Sequence, residues 1–186
     1  MRKLMNELEE NGVKALVDKR DKFTSEESQS ALKKCEYLGY IVKESLRIDP
    51  PSLGSSAYES VDDVVVCDVL VPKGTIMYVN TLCAHFNEQQ WHEPFKFIPE
   101  RFDPSSEYYT KPGTDEIRDS NSYIPFSVGP RTCPAAKFAT YEIKSMVAYF
   151  LCRVEYEVEK YQIDEDIHIG LEGIQELYGK ITKKCL

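Results

Sequence analysis

The chain has no excess of basic residues: 23 Lys and Arg stand against 31 Asp and Glu, a formal net charge of −8. That balance argues against nucleic acid as a main partner. It also lacks a long apolar run. The longest, Met146 to Cys152, is far short of the ~20 residues a membrane-spanning helix needs. The opening Met1-Arg-Lys-Leu-Met5 carries no apolar stretch of signal-peptide length. Six cysteines stand at 35, 67, 83, 133, 152 and 185 with no close pair, so neither a zinc site nor a disulfide framework is indicated. His85 and His92 flank Phe86-Asn-Glu-Gln-Gln-Trp91, but no third ligand at suitable spacing completes a metal site. The composition suits a soluble intracellular polypeptide of 186 residues with the core of one domain.

What is present centres on Cys133, in Phe126-Ser-Val-Gly129-Pro-Arg131-Thr-Cys133-Pro-Ala135. Downstream, Ala136, Ala139, Ile143, Met146, Val147, Phe150, Leu151 and Val154 recur at helical spacing, predicting a helix over 133–154. A thiol at a helix mouth meets backbone N–H groups and the positive end of the macrodipole, which favour the thiolate. Gly129 removes a Cβ where the backbone could approach a flat ligand, and Pro130 stiffens the turn. Arg131 sets a fixed cation two residues before the sulfur, suited to a carboxylate. Two further motifs stand upstream: Glu44-Ser-Leu-Arg47 and Pro99-Glu-Arg101-Phe102. Glu44 and Arg47, three apart, share one helix face.

The cysteine segment resembles the ligand loop of cytochrome P450, Phe-x-x-Gly-x-Arg-x-Cys-x-Gly, at Phe126, Gly129, Arg131 and Cys133, with Ala135 in place of the last glycine. The other two motifs resemble that family's Glu-x-x-Arg and Pro-Glu-Arg-Phe, in the same order. The resemblance implies a mainly α fold with small β-sheets (α+β). It further implies the C-terminal portion of the cytochrome P450 fold on the proximal haem side, with no counterpart of the distal helix. It implies haem (iron protoporphyrin IX) with Cys133 as the axial iron ligand, Arg131 at a propionate, and Phe126 and Gly129 against the sulfur and ring. Glu44, Arg47 and Arg101 would form a buried structural brace. The implied activity is that of a haem-thiolate monooxygenase placing one oxygen atom from O2 into an organic substrate, with electrons from NADPH through a separate reductase. The partners are then that reductase and a small hydrophobic substrate. The distal oxygen-activating residues lie outside this sequence, so the isolated chain is expected to be inactive. A full-length form could sit at the endoplasmic reticulum membrane, although nothing here fixes a location. The alternatives are a non-catalytic haem-binding remnant and a cofactor-free interaction domain.

Around these motifs the pattern predicts a helix over 24–47, with Leu32, Cys35, Leu38, Val42 and Leu46 on one stripe. Thr24-Ser-Glu-Glu27 has capping-box spacing, and Pro50-Pro51 stops the helix. A β-hairpin is expected over 61–80 with its turn at Pro72-Lys-Gly74, an ordered loop over 91–132, and terminal strands over 155–186 turning at Gly170 and Gly173. Cys35 and Cys152 read as core residues, Trp91 as core packing, and His92 as lining a loop. His85 holds a position where the family often has histidine followed by arginine; here Phe86 follows. Where the family often supplies a propionate-binding arginine, Ser55, Ser56, Ala57 and Tyr58 stand. Between Gly129 and Arg153, four cations (Arg131, Lys137, Lys144, Arg153) oppose only Glu142. They read either as a docking face for an acidic electron donor or as a solvated helix face.

Overall fold

Apolar faces of five helices meet in one core, and everything that matters at the site hangs from it. The structure, a computed structural model, describes residues 1–19, 26–162 and 176–183. Its helices are α1 (Arg2–Glu10), α2 (Val13–Asp18), α3 (Glu26–Lys34), α4 (Glu36–Ile48), α5 (Thr81–His85) and α6 (Ala136–Arg153). Leu4 and Leu8 of α1, Leu16 of α2, Leu38 and Val42 of α4, and Ala148 and Cys152 of α6 are buried against one another. Their spacing of four residues stacks side chains on one helix face. Each large aliphatic side chain so buried contributes about 1.5–3 kcal/mol.

Leu32, Cys35, Leu38, Val42 and Leu46 are all buried, but Leu32 lies on α3, the last three on α4, and Cys35 between the two helices. The chain breaks at Cys35, where ψ of 89° leaves the helical region. Across the break, Glu7 of α1 accepts from the backbone N–H of Tyr37 (2.7 Å) and of Leu38 (2.9 Å). A carboxylate from another helix thus satisfies the free N–H groups of α4 and complements its dipole. Thr24 and Ser25 of the expected capping box lie outside the described residues.

The strands also differ from expectation. Strand β2 (Val64–Val66) pairs with β3 (Val69–Val71), so the hairpin turns at Cys67-Asp68 and not at Pro72-Lys73-Gly74. Both turn residues have positive φ, 49° and 61°, as a two-residue hairpin loop requires to match strand twist. Strand β4 (Ile76–Met77) instead returns to β1 (Tyr58–Glu59). Residues 91–132 form an ordered run of turns and 3-10 segments, including Pro99–Phe102. Helix α6 begins at Ala136, three residues later than the periodicity suggests, because the backbone turns at Pro134-Ala135 first. Its buried face is also displaced. Ala148 and Cys152 are buried, whereas Met146 and Phe150 are exposed, so apolar residues stand on both sides of α6. Strand β5 (Val154–Gln162) starts directly at its end and pairs antiparallel with β6 (Glu176–Lys183). Gly170, Gly173 and Cys185 lie outside the described residues.

Candidate functional site

The structure brings Glu44, Arg47 and Arg101 together with no side-chain exposure at all. Arg47 approaches Glu44 with two nitrogens, Nε to Oε2 at 2.8 Å and Nη2 to Oε1 at 2.9 Å. Arg101 Nε donates to Oε1 at 3.0 Å, and the backbone N–H of Ile98 to the same oxygen at 2.8 Å. One carboxylate thus takes four hydrogen bonds, two from Arg47 within α4 and two from the ordered loop, and so joins helix to loop. Two guanidiniums to one carboxylate leave positive charge over, and backbone carbonyls take it up. Arg101 donates to His92 O, Glu93 O (2.8 Å) and Lys96 O (3.2 Å), and Arg47 to His85 O (2.8 Å) and Lys96 O (3.3 Å). Burial holds the Arg101 pKa below its ordinary value, with Glu44 opposing that shift.

Trp91, 1% exposed, extends this cluster. Its Nε1 donates to Ala84 O at 3.1 Å, and two guanidiniums lie over its ring, Arg118 at 4.3 Å and Arg47 at 5.1 Å from the centroid. Arg118 in turn donates to Tyr108 O (2.8 Å) and Arg101 O (2.6 Å). Burial, and then the neighbouring Arg101, pull its pKa down to about 10. Nothing in the sequence marks Arg118; it stands in a polar stretch without periodicity. His85 and His92 do not converge on a common centre. His85 is fully buried, while the His92 ring meets Tyr108 edge-on at 5.7 Å, and its carbonyl serves Arg101. Among the described residues no group of histidine, cysteine and carboxylate side chains could by itself hold a metal ion.

The cysteine loop is closed by its own backbone. The Cys133 N–H donates to Phe126 O at 2.9 Å, and the Thr132 hydroxyl to Phe126 O (3.2 Å) and Ser127 O (3.3 Å). The Thr132 N–H reaches Gly129 O at 3.1 Å. Phe126 packs against the helical core and so pins the loop to it. Gly129 has φ of 74°, the left-handed region, and a Cβ there would meet nothing within 4 Å. The backbone angle at 129 therefore favours glycine, and the space beside it is open. Ser127 shares that conformation at φ 64°. Ala135 sits at φ −88°, where its methyl costs nothing. Cys133 is a half-buried free thiol, and Arg131 is exposed without an ion pair among the described residues. Val128 and Phe138 beside them are 50% and 68% exposed.

The cationic run from Gly129 to Arg153 is smaller than its sequence suggests. Arg153 is buried and donates to Val17 O at 2.7 Å. Lys144 packs across Gly39, reaches Cys35 O at 3.4 Å, and has its pKa lowered by burial. Both cations are occupied within the fold, leaving Arg131 and Lys137 exposed. Lys33 of α3 joins Lys137 on a groove of about 390 Å³ also lined by Leu32, Ala136, Thr140 and Tyr141. No described helix is long and apolar enough to cross a membrane.

The site thus comprises a cysteine loop pinned to the helical core through Phe126 and a buried Glu–Arg–Arg cluster that joins α4 to the ordered loop. The family model for cytochrome P450 matches residues 2–175, and the chain belongs to that family. It is similar to steroid 17-alpha-hydroxylase/17,20 lyase of Homo sapiens, with 33% identity over 73% of this chain and 25% of that protein. It is also similar to cytochrome P450 CYP82J17 of Trigonella foenum-graecum, with 36% identity over 69% of this chain and 24% of that protein. The chain thus spans about a quarter of the length of the curated relatives it matches.

Proposed function

We propose that the chain is the C-terminal, proximal portion of a haem-thiolate monooxygenase, in which the Cys133 sulfur would hold the haem iron. One observation carries this reading: a free, half-buried thiol lies in a loop that its own backbone closes, beside exposed apolar side chains and a cation with no ion pair among the described residues. That donor set fits haem, which needs a soft axial donor, apolar contact for its ring and a cation for its propionates. Cys133 would hold the iron, Arg131 a propionate, and Val128 and Phe138 the ring edge, with Gly129 leaving room beside it. Bound there, haem would supply the reductive activation of O2 by which the family oxidises organic substrates.

The chain's own residues do the positioning. Phe126 fixes the loop to the core and offers the carbonyl that receives the Cys133 N–H. Glu44, Arg47 and Arg101 hold α4 and the 91–102 segment as one rigid backing. NADPH-derived electrons would arrive through a reductase with an acidic surface, received on Arg131, Lys137 and Lys33. Docking should lose its salt dependence when Lys33→Glu and Lys137→Glu are combined; an unchanged dependence dismisses that face. The substrate is a small hydrophobic molecule of the kind the family oxidises.

The direct test is spectroscopic. The chain is expressed, supplied with haem, reduced under carbon monoxide, and its Soret band recorded. A red-shifted thiolate-type band that disappears in Cys133→Ser is expected. Haem uptake with an unchanged band in that variant would overturn the ligand assignment. The chain covers a quarter of its relatives' length, which favours haem binding without turnover for the isolated polypeptide. An absence of haem uptake would favour a cofactor-free interaction domain.

A further inference from the structure

We propose that His85 is a positioning residue: its imidazole, in a single fixed tautomer, sets the cysteine loop against the carboxyl end of α4. The inference rests on the reading of Cys133 as haem ligand, and its core can be measured without haem.

His85 closes α5 and is fully buried. Its Nε2 lies 2.9 Å from the backbone nitrogen of Ile124, which can only donate, so Nε2 must carry a lone pair. The ring proton is then on Nδ1, 3.0 Å from Arg47 O, and that carbonyl accepts it. Arg47 O is one of the carbonyls that the end of α4 leaves without a helical partner. The imidazole therefore supplies an acceptor and a donor to two buried backbone groups, neither of which water can serve. Arg47 answers by donating Nη1 to His85 O at 2.8 Å, so brace and imidazole hold each other.

The other end of the connection is the loop. Ile124 O accepts from the Ser127 N–H at 3.0 Å, opening the turn that leads through Phe126 O to the Cys133 N–H. Tyr123, next to Ile124, stacks on the His85 ring at 5.5 Å with 23° between planes, and its hydroxyl donates to Lys43 O at 3.1 Å. Residues 123 and 124 are thus tied to His85 by a stack and a hydrogen bond, and directly to α4 by the Tyr123 hydroxyl. Glu44, Arg47, His85 and Ile124 form one continuous path of contacts from the brace to the loop that carries the sulfur. A ligand's orientation depends on what its own support is bonded to, so a slack Ile124 should loosen the seat of Cys133.

The test uses two substitutions that split the ring's functions. Glutamine places its amide near the position of Nε2 and asparagine near that of Nδ1. His85→Gln retains an acceptor for Ile124, whereas His85→Asn retains only the donor to Arg47 O. Amide hydrogen exchange across 124–133 should quicken by about tenfold or more in His85→Asn and markedly less in His85→Gln, with α1 protected in both. A packing role would not separate the two, and equal exchange overturns the proposal. Nitrogen-15 NMR of the unaltered chain gives a second readout that needs no variant. The Nδ1–H tautomer with a protected Ile124 amide upholds the proposal even if both variants fail to fold, and the Nε2–H tautomer overturns it. After haem addition, His85→Asn should shift the reduced carbon monoxide band away from the thiolate position while His85→Gln keeps it. If Cys133→Ser leaves that band unmoved while tautomer and exchange behave as stated, the ligand reading fails and the loop clamp stands.

Discussion

Arg118 lies over the Trp91 ring, 4.3 Å from its centroid, and has no carboxylate partner among the described residues. A guanidinium that gives up water for an indole face and two carbonyls is held by stacking geometry as much as by charge. Arg118→Lys keeps the charge but loses the planar fork, and should cost about 1–2 kcal/mol by urea denaturation. Trp91→Phe should be milder than Trp91→Leu, because a ring face survives. Equal losses for Phe and Leu would show that Trp91 acts through volume alone.

Glu44 is the only carboxylate that touches the Arg47 and Arg101 guanidiniums among the described residues. Glu44→Gln keeps the shape and removes the charge, leaving two buried cations without an anion. Loss of one member of a buried ion network costs roughly 3–5 kcal/mol, a large share of a domain's stability. Arg47→Ala and Arg101→Ala should fall in the same range and impair folding before chemistry. A Glu44→Gln chain with the parent's urea midpoint would remove the bracing role.

The parts that sequence could reveal are those whose cause is local. Glu44 and Arg47 share a helix face by spacing, whereas Gly129 reads from sequence as a close-approach position and its left-handed φ is seen only in the structure. The break at Cys35 is invisible because the group that caps α4, Glu7, comes from another helix. The hairpin turn at Cys67-Asp68 was masked by the stronger turn residues Pro72 and Gly74. The cationic run was overcounted because Lys144 and Arg153 turn inward to carbonyls of Cys35 and Val17. The hydrogen bonds of His85 and Arg118 go to backbone groups, which no side-chain pattern announces. His85 reaches residues 38 and 39 positions away.

Burial holds the His85 pKa down to about 4, with Arg47 adding to the shift and the hydrogen bond to its carbonyl opposing it. Among the groups facing the ring, Arg47 and Tyr123 are the titratable ones given by its contacts. The unfolded chain takes up this proton near pH 6.5 and the folded chain only near 4, so between those values only the unfolded state binds it. Stability from this group is therefore complete above about pH 6.5 and declines as the pH falls towards 4. The decline amounts to about 3 kcal/mol at most. Urea midpoints measured between pH 7 and 4 should fall more steeply for the parent than for His85→Gln. Parallel curves would mean that the ring is already charged in the folded chain.

Glu7 offers a sharper test of how α4 is oriented. Its two carboxylate oxygens take the N–H groups of Tyr37 and Leu38, so it both caps α4 and ties α1 to it. Glu7→Ala removes the cap, and a lost cap costs about 0.5–2 kcal/mol. Glu7→Gln retains one acceptor oxygen and loses the charge at the helix's positive end, so it should fall between parent and alanine. Cys35 supplies an independent reading at the same place. Burial raises its pKa to about 11, with Glu7 the next contributor. Without Glu7 the thiol should both open more often and ionise more readily, and alkylation of Cys35 should quicken in the order parent, Gln, Ala. Thiol labelling followed by mass spectrometry would resolve that order, and identical rates in all three would place the end of α4 under the control of the core alone.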